Sequence, residues 1–446
     1  MEFEVLKRSH LKRNIIIGVM VVAIISAVVL NFTQAKYKLT ESIPLINGTI
    51  NYKRPDLNVV AMYQQDESGK YINIDTVPTS GYTLNTELSV CGQPVDGELV
   101  QDNTIPITFE NGRVYIGINT KETKCYLYFD EQKLSLGDAI LIGRTVQTRT
   151  FPATRSTAVT GTNGIGDIYS ATDDDGTTYY FAGNPDDNWI YFAGFYWRII
   201  RINGDGSIRI IYSGDNESGP VTTGEDTQYT TSVFNSSSNA SYYVGLKYSN
   251  NSQHGNETNS TILGVLNKWY EDNISGTQYE QYISTEAGFC GDRETASGYN
   301  WSANPANDMY YAGYGRLILN ANNIITTFKC DNSNDYYTVS VTGNGNRTLV
   351  YPIGLITADE ASYAGLPSNG TTSDNYLYTG QYYWTMSPAY YEIDRTSSFM
   401  FIVVSEGDIG VNRLIFSNGI RPVINLDKNV TISGGNGSAE SPFVIS

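Results

Sequence analysis

The sequence predicts an α+β protein that is rich in strands, and three observations support this class. Short runs that alternate apolar and polar residues recur along the chain from about residue 43. Helical patterns are confined to two places, an apolar face within residues 262–274 and a capping box at residues 357–360. The sequence shows no internal repeat of about 20–50 residues, which argues against a solenoid or a propeller. Few local helices among many strands are typical of the α+β class.

The N-terminal segment, residues 1–36, predicts a membrane anchor. Residues 15–30 read IIIGVMVVAIISAVVL without a charge, and four basic residues lie just before them, within residues 7–13. Basic residues stay on the cytoplasmic side of a bilayer, so we expect a cytoplasmic stub, one transmembrane helix and an extracellular body. A small-residue site at residues 33–35 leaves removal as a signal peptide open, and the body would then be secreted.

The charge balance excludes several classes of protein. The 446 residues include 29 Lys and Arg against 46 Asp and Glu, a formal charge of −17. We expect no nucleic-acid partner, because nucleic-acid binding needs a basic face. Two histidines cannot build a His-rich metal site, and we expect neither a metal site nor another cofactor.

The four cysteines predict two disulfides, because an exported chain folds in an oxidising environment. Three pairings are possible. We expect Cys91 with Cys125 and Cys290 with Cys330, since each bridge then closes a loop inside one candidate domain. In the loop-closure model each bridge stabilises the fold by about 4 kcal/mol.

Residues 40–133 predict a small β-sandwich. Its alternating runs are separated by turn signals, of which Asn111-Gly112 is a strong hairpin cue. The runs lie at residues 57–63, 71–77, 105–109, 114–118 and 125–129. The following segment, residues 134–168, is rich in Thr, Arg and Gly and is expected to be a linker or lead-in.

The larger block, residues 169–428, combines further strands with the two helices. The turn at residues 203–206 (NGDG) lies between two alternating runs and predicts a hairpin. Asn259 or Ser260 is available to cap the first helix. Later strands are expected at residues 382–386, 399–404, 414–416 and 421–426. Residues 429–446 are expected to be a C-terminal tail.

Three segments of this block resemble a known family. They are residues 194–206 (GFYWRIIRINGDG), residues 383–388 (YWTMSP) and residues 419–426 (GIRPVINL). The family comprises uncharacterised surface proteins of gut Firmicutes and related bacteria, whose C-terminal module resembles the formylglycine-generating-enzyme and C-type-lectin-like fold. The resemblance spans roughly residues 170–428. It implies that fold and an envelope location, and by itself it implies no activity.

The resemblance brings no active site. Formylglycine-generating enzymes use two cysteines that lie close in sequence late in this fold, whereas Cys290 and Cys330 are 40 positions apart and no cysteine follows them. His254 lies in a polar loop without a nucleophile motif, and we expect a solvated loop histidine. The sequence therefore predicts no catalytic residue. A hydrolase that uses an Asp/Glu pair stays open, because such pairs lie far apart in sequence.

The run at residues 173–176 (DDDG) resembles a calcium loop superficially. With Gly176 as the sixth position of an EF-hand loop, Ala171 and Ala182 occupy the first and twelfth positions, where acidic residues are needed. We therefore expect a turn here, and whether calcium is bound stays open.

The 35 tyrosines are the positive indication of a working surface. Several form doublets, and neighbouring side chains of a strand point to opposite faces, so one ring packs inward while the other meets solvent. Exposed Tyr among Ser, Gly and Asn is typical of adaptable contact surfaces, although Tyr is also simply a good strand residue. We expect a ligand face at Tyr382, Tyr383, Tyr390, Tyr391 and Arg395.

Together these features predict a bacterial cell-surface protein for binding or adhesion, without catalysis. The expected partners are the membrane, through the N-terminal helix, and a host glycan, a host protein or a neighbouring envelope component. An extracellular hydrolase and a purely structural envelope subunit are the alternatives. Ligand identity and oligomeric state stay open.

Overall fold

The computed structural model describes residues 57–66, 69–78, 81–95, 98–110, 113–117, 123–149, 167–320, 323–341 and 343–445. The predicted anchor and the Asn111-Gly112 turn lie outside the described residues. Of the helices in the described part of the chain, none has both the length and the apolar character that a bilayer crossing needs. The chain divides into two compact units, Met1–Lys133 and Leu134–Ser446.

The described part of the first unit consists of strands. In chain order they are β1 (Leu57–Gln65), β2 (Tyr71–Ile74), β3 (Tyr82–Leu84), β4 (Val90–Val95), β5 (Glu98–Gln101), β6 (Ile107–Glu110), β7 (Arg113–Ile116) and β8 (Thr123–Glu131). Six of them form one sheet in the order β2-β1-β8-β4-β5, in which β3 also pairs with β8. Strands β6 and β7 pair as a separate hairpin. Strand β1 runs parallel to β8, and the other pairs are antiparallel.

The hairpin and the sheet share one apolar core. Val114 and Ile116 of the hairpin belong to the same buried cluster as Leu127 and Phe129 of β8. The described part of this unit is therefore one mixed sheet covered by a small hairpin. The expected β-sandwich would consist of two packed sheets of similar size. Cys91 and Cys125 lie directly opposite each other on β4 and β8 and form the expected disulfide.

The second unit contains most of the strands and all four helices of the described chain. Its helices are α1 (Leu136–Leu141), α2 (Thr261–Asn273), α3 (Ala312–Tyr314) and α4 (Ala358–Tyr363), and α3 continues as a π-helical turn, Gly315–Leu319. Its earlier strands are β9 (Thr145–Gln147), β10 (Asp167–Thr172), β11 (Thr177–Tyr180), β12 (Trp189–Phe192), β13 (Phe195–Ile202), β14 (Ile208–Asp215), β15 (Thr230–Val233), β16 (Lys247–Tyr248), β17 (Thr258–Asn259) and β18 (Phe289–Cys290). Its later strands are β19 (Met309–Tyr310), β20 (Tyr336–Tyr337), β21 (Tyr383–Glu392), β22 (Ser397–Val403), β23 (Ile409–Arg413), β24 (Ser417–Ile420), β25 (Val423–Leu426), β26 (Ile432–Gly434) and β27 (Phe443–Ile445). The class is therefore α+β.

Two large sheets organise this unit. The first has the order β26-β27-β12-β13-β11-β10-β9, with β14 joining β13 to β25. Strands β13 and β14 form the predicted hairpin, with Ile202 opposite Ile208 across the turn. The second has the order β15-β24-β21-β22-β23, with β19 also paired to β21. One large buried cluster contains residues of both sheets and of α2.

Both predicted helices are confirmed. Helix α2 buries the expected face, and its cap is Ser260, whose hydroxyl accepts a hydrogen bond from the Leu263 amide. Helix α4 begins with the expected capping box between Thr357 and Glu360. The strand expected at residues 414–416 is wrong, because these residues form the turn between β23 and β24.

The segments expected as linker and tail are partly structured. Residues 134–149 contain α1 and β9, and Leu136 donates its amide proton to the Val430 carbonyl. In the C-terminal segment, β27 pairs with β12 and buries Phe443. An unpaired β12 would expose a sheet edge, and the C-terminal strand covers it. The disulfide between Cys290 and Cys330 is also present, as expected.

Candidate functional site

Strand register brings several tyrosines together at one end of β21. Tyr390 lies opposite Tyr310 of β19 on one side and opposite Phe399 of β22 on the other. Helix α3 begins at Ala312, two residues after the end of β19, and it contains Tyr314. Facing residues of paired strands have neighbouring side chains, which is why these rings meet.

The rings form a continuous chain of contacts, which we call the tyrosine ladder: Tyr299, Tyr310, Tyr314, Tyr390 and Phe399. Ring centroids of Tyr299 and Tyr310 are 4.9 Å apart, and those of Tyr310 and Tyr314 are also 4.9 Å apart. Tyr314 lies 5.0 Å from Tyr390, which stacks on Phe399 at 4.5 Å. Phe399 is buried, and the four tyrosines are half-buried. The ladder thus has a buried end and a partly open face.

The ladder tyrosines with shifted pKa values are neutral at physiological pH. Burial, followed by the neighbouring Tyr314 and Glu392, raises the pKa of Tyr390 to about 12. Burial, followed by the charge of Asp308, also raises the pKa of Tyr310. A phenol that keeps its proton presents an apolar ring with one hydrogen-bonding tip.

Two of the five predicted ligand residues are buried. Tyr383 has no exposed surface, its hydroxyl donates to the Leu377 carbonyl at 2.8 Å, and the Arg421 guanidinium lies 5.0 Å from its ring centre. Tyr391 is 3% exposed. Both point inward because their doublet partners point outward, so the prediction is wrong for Tyr383 and Tyr391.

The other three predicted residues are accessible but do not form one site. Tyr390 belongs to the ladder, and Arg395 is exposed and pairs with Glu392 at 3.0 Å. Tyr382 is 45% exposed, and its hydroxyl lies 3.5 Å from Glu406. Tyr382 directly precedes β21, and Tyr390 lies near the other end of this strand. The register with β22 places residues 383 and 390 opposite residues 403 and 399, a span of about 13 Å. The sequence segment therefore spans two different surfaces.

Five doublets show the alternation between inside and outside. In each, the first ring is half-buried or exposed and the second is buried: Tyr179-Tyr180, Tyr310-Tyr311, Tyr336-Tyr337, Tyr382-Tyr383 and Tyr390-Tyr391. The doublet Tyr242-Tyr243 lies in a short 3-10 turn, and both of its rings remain half-buried. The doublets thus have different environments, and two of them supply the ladder.

A second candidate site is a narrow cleft with a cavity volume of about 30 Å³. We call it the charged cleft. Its charged lining residues are Arg201, Arg209, Arg316, Lys329, Asp292, Asp359 and Glu360. Cys290 of the second disulfide, Phe328 and Tyr336 also line it. Strands β13, β14, β18 and β20, the π-helical turn and α4 contribute these residues.

Most charges of the cleft neutralise one another. Glu360 Oε1 lies 2.6 Å from Arg209 Nε and 3.2 Å from Arg201 Nε. Nη2 of Arg316 lies 2.5 Å from Asp292 and 2.7 Å from Asp359. These pairs attach α4 to β13, β14 and the π-helical turn. Buried charges need such partners, because their desolvation is costly.

The two carboxylate oxygens of Glu360 contact different partners. Its Oε2 accepts the Thr357 amide at 2.9 Å in the capping box, and its Oε1 faces the two arginines. Burial alone would raise the pKa of Glu360, but Arg209, Arg201 and the Thr357 amide outweigh burial and lower the pKa. The carboxylate is therefore ionised at neutral pH and balances two buried guanidinium groups.

His254 is not the solvated loop histidine that we expected. Its side chain is 18% exposed, with Nδ1 at 3.0 Å from Asp335 and Nε2 at 3.3 Å from Glu294. Burial alone would lower the pKa of His254, but the hydrogen bond and charge of Asp335 and the charge of Glu294 outweigh it and raise the pKa. Arg293 shares the carboxylate of Asp335 at 2.7 Å, so the loop around His254 is pinned by an ionic network.

Residues 173–176 form the expected turn. Asp173 Oδ1 accepts the amides of Asp175 and Gly176 at 3.0 and 3.1 Å. Its Oδ2 accepts the Gly204 amide and pairs with the Arg201 guanidinium at 2.7 Å. A protein cation already lies against this carboxylate. In the described residues, no group of three or more His, Cys, Asp or Glu side chains is arranged to hold a metal ion.

Sequence reasoning missed Tyr299, Tyr314 and the charged cleft. Tyr314 carries no local signal, because a spacing of four residues brings side chains together only within a helix and Tyr310 lies in β19. Arg201 and Arg209 had a signal, since both interrupt apolar strand patterns and a buried arginine needs an acidic partner. The partner Glu360 lies about 150 residues away from Arg209, as their numbers show. Tyr299 carries no such signal.

No protein-family model, curated protein or solved structure matches this chain. The candidate sites are therefore judged on their own geometry.

Proposed function

We propose that this chain is a bacterial cell-surface binding protein without catalysis, and that the tyrosine ladder is its ligand face. The observation that carries the proposal is the convergence of four half-buried tyrosines from three separate stretches of the chain, around residues 299, 310–314 and 390. In this proposal the second unit is a C-type-lectin-like scaffold, as the sequence motifs suggest.

The chemistry of the ladder favours binding. Each ring is held by its neighbours, so a ligand that covers it restricts little additional side-chain motion. Covering the remaining apolar surface of a half-buried ring contributes about 1 kcal/mol, and four rings together support a specific contact. Arg395 and Glu392 next to Tyr390 add charged groups at the edge of the face. The expected partners are a host glycan, a host protein or an envelope component.

The location is part of the same proposal. The basic residues and the apolar stretch before residue 36 support a proposed membrane anchor at the N-terminus, with the body outside the cell. Two disulfides favour an oxidising compartment and support this side of the membrane. If the anchor is cleaved, the same body is secreted.

A glycan and protein array probed with residues 40–446 tests the proposal. We expect binding to one ligand class, and we expect Tyr310→Ala to weaken it about five- to tenfold. The matched control is Tyr382→Ala, an exposed tyrosine outside the ladder, which should bind normally. Turnover of an array component, abolished by neutralising one Asp or Glu, would instead support the hydrolase. Silence on the array with a stoichiometric envelope partner in crosslinking would support a structural subunit.

A further inference from the structure

The charged cleft is close to neutral within an acidic chain. Its basic lining residues are Arg201, Arg209, Arg316 and Lys329, and its acidic lining residues are Asp292, Asp359 and Glu360. Asp173, which pairs with Arg201 at 2.7 Å, balances the fourth basic residue, whereas the whole chain carries −17. A neutral cleft repels an anion less than the rest of this acidic surface does.

The cleft also has donors that the protein itself does not use. Arg201 donates hydrogen bonds from Nε to Glu360 and from Nη1 to Asp173 and Thr178. Its Nη2 has no hydrogen-bond partner among the described residues. Arg316 donates hydrogen bonds from Nε to Asp359 and from Nη2 to Asp292 and Asp359. Within the described part of the chain its Nη1 donates none. The two side chains are 11% and 20% exposed, so solvent reaches them.

Two further lining residues have unused donors. Lys329 is exposed and makes no ion pair or hydrogen bond through its ammonium group within the described part of the chain. The Tyr336 hydroxyl accepts the Gly288 amide at 2.9 Å and keeps its own proton, because burial raises its pKa to about 12. Against these donors, one carboxylate oxygen in the described cleft, Asp292 Oδ1, has no protein donor. Donors therefore exceed acceptors.

We propose that the charged cleft binds the carboxylate group of a small ligand, with Arg201, Arg316, Lys329 and Tyr336 as donors. Asp359 and Glu360 are consecutive, and their ion pairs hold the two guanidinium groups at the same helix start. A guanidinium presents its N–H groups in a plane that fits a carboxylate. A neutral cleft accepts the single charge of a carboxylate more readily than a phosphate monoester, which carries almost two negative charges. This site goes beyond the tyrosine ladder and does not depend on it.

Saturation-transfer NMR on the full-length chain in a non-ionic detergent tests the site, with acetate as the probe. Acetamide is the matched neutral probe, and inorganic phosphate is the second anion. We expect saturable transfer to the acetate methyl group and none to acetamide, with phosphate competing weakly. Lys329→Gln should weaken acetate binding about two- to fivefold, because an exposed charge contributes modestly. Lys428→Gln, at another exposed lysine, should leave it unchanged.

Three results of the NMR experiment would count against the carboxylate site. Equal transfer to acetate and acetamide, or equal weakening by the two lysine variants, would overturn the proposal. The assignment to a carboxylate would be overturned if phosphate displaced acetate at a concentration below the acetate concentration that half-saturates the site. The arginines are left intact in this experiment, because they also hold the fold. Absence of acetate binding at the charged cleft has no bearing on the array test of the tyrosine ladder.

Discussion

The tyrosine ladder and the charged cleft lie in the same unit, and they use their side chains in opposite ways. In the ladder, uncharged rings pack on one another and keep a partly open face. In the cleft, six of the seven charged lining residues form ion pairs with one another, and Glu360 pairs with both Arg201 and Arg209. Removing one ladder ring should cost only the contacts of that ring. Removing one charged side chain of the cleft leaves the buried charges of its ion-pair partners unneutralised.

This difference separates residues that hold the fold from residues that are available to a ligand. Most cleft charges are already committed to protein partners, and what remains for a ligand is a small excess of donors. The ladder tyrosines contact one another through their rings and stay half-buried, so part of each ring remains accessible to a ligand. Stability measurements and binding measurements should therefore respond to different residues.

The largest effect is expected from Glu360→Gln. The amide keeps the shape of the capping box, but Arg201 and Arg209 lose their shared negative charge, which should cost about 3–5 kcal/mol of unfolding free energy. Urea unfolding followed by tryptophan fluorescence measures this unit alone, because all five tryptophans lie beyond residue 133. Glu217→Gln, at an exposed position, is the matched control and should cost little. A loss below about 1 kcal/mol for Glu360→Gln would contradict the role given to the network.

A somewhat smaller effect is expected from removing the disulfide at the cleft wall. Replacing Cys290 and Cys330 by alanine releases a bridge with a sequence separation of 40 and should cost about 2–4 kcal/mol. The same urea experiment checks it, and Cys91→Ala with Cys125→Ala serves as a comparison, because that bridge lies in the first unit. If the change at 290 and 330 left the tryptophan transition in place, the bridge would not stabilise the second unit.

A still smaller loss of stability is expected from Tyr310→Ala in the ladder. The ring contacts Tyr299, Tyr314 and Tyr390 but is only half-buried, so its removal should cost about 1–2 kcal/mol. Urea unfolding gives the value, with Tyr382→Ala as the control for an exposed tyrosine. A cost as large as that of Glu360→Gln would mean that the ladder is mainly part of the core.

The smallest effect is a pH dependence from His254. The folded-state pKa is raised above the unfolded value of about 6.5, so protonation stabilises the fold. This stabilisation is fully present below the unfolded pKa and is lost as the pH rises through the folded pKa. The unfolding free energy of the native chain minus that of His254→Gln should therefore fall between about pH 6 and pH 8. A difference that is constant or rises over this window would refute the role of Asp335 and Glu294.

Local patterns in the sequence predict local structure well in this protein. The capping box of Thr357 and Glu360, the cap at Ser260, the hairpin at residues 203–206 and both disulfides follow from neighbouring residues or from a short count of cysteines. The inward position of Tyr311 and Tyr337 follows from strand alternation. These features depend on spacing along the chain, which the sequence contains.

Features that depend on distant pairing could not be predicted in the same way. Tyr390 was expected to act with Tyr382, but strand register places it with Tyr310 instead. Nothing near Arg209 in the sequence indicates that Glu360 balances it. The C-terminal segment was expected to be a tail, whereas β27 pairs with β12. Each of these depends on which strands become neighbours, and a single sequence does not contain that information.

The most direct test of the central claim is a binding comparison of three forms of residues 40–446 on one glycan and protein array. The forms are the native sequence, Tyr310→Ala and Tyr382→Ala, each checked for the native tryptophan unfolding transition. We expect Tyr310→Ala to lose most of the signal and Tyr382→Ala to keep it. Equal signals from all three folded forms, or a loss confined to Tyr382→Ala, would contradict the assignment of the tyrosine ladder as the ligand face.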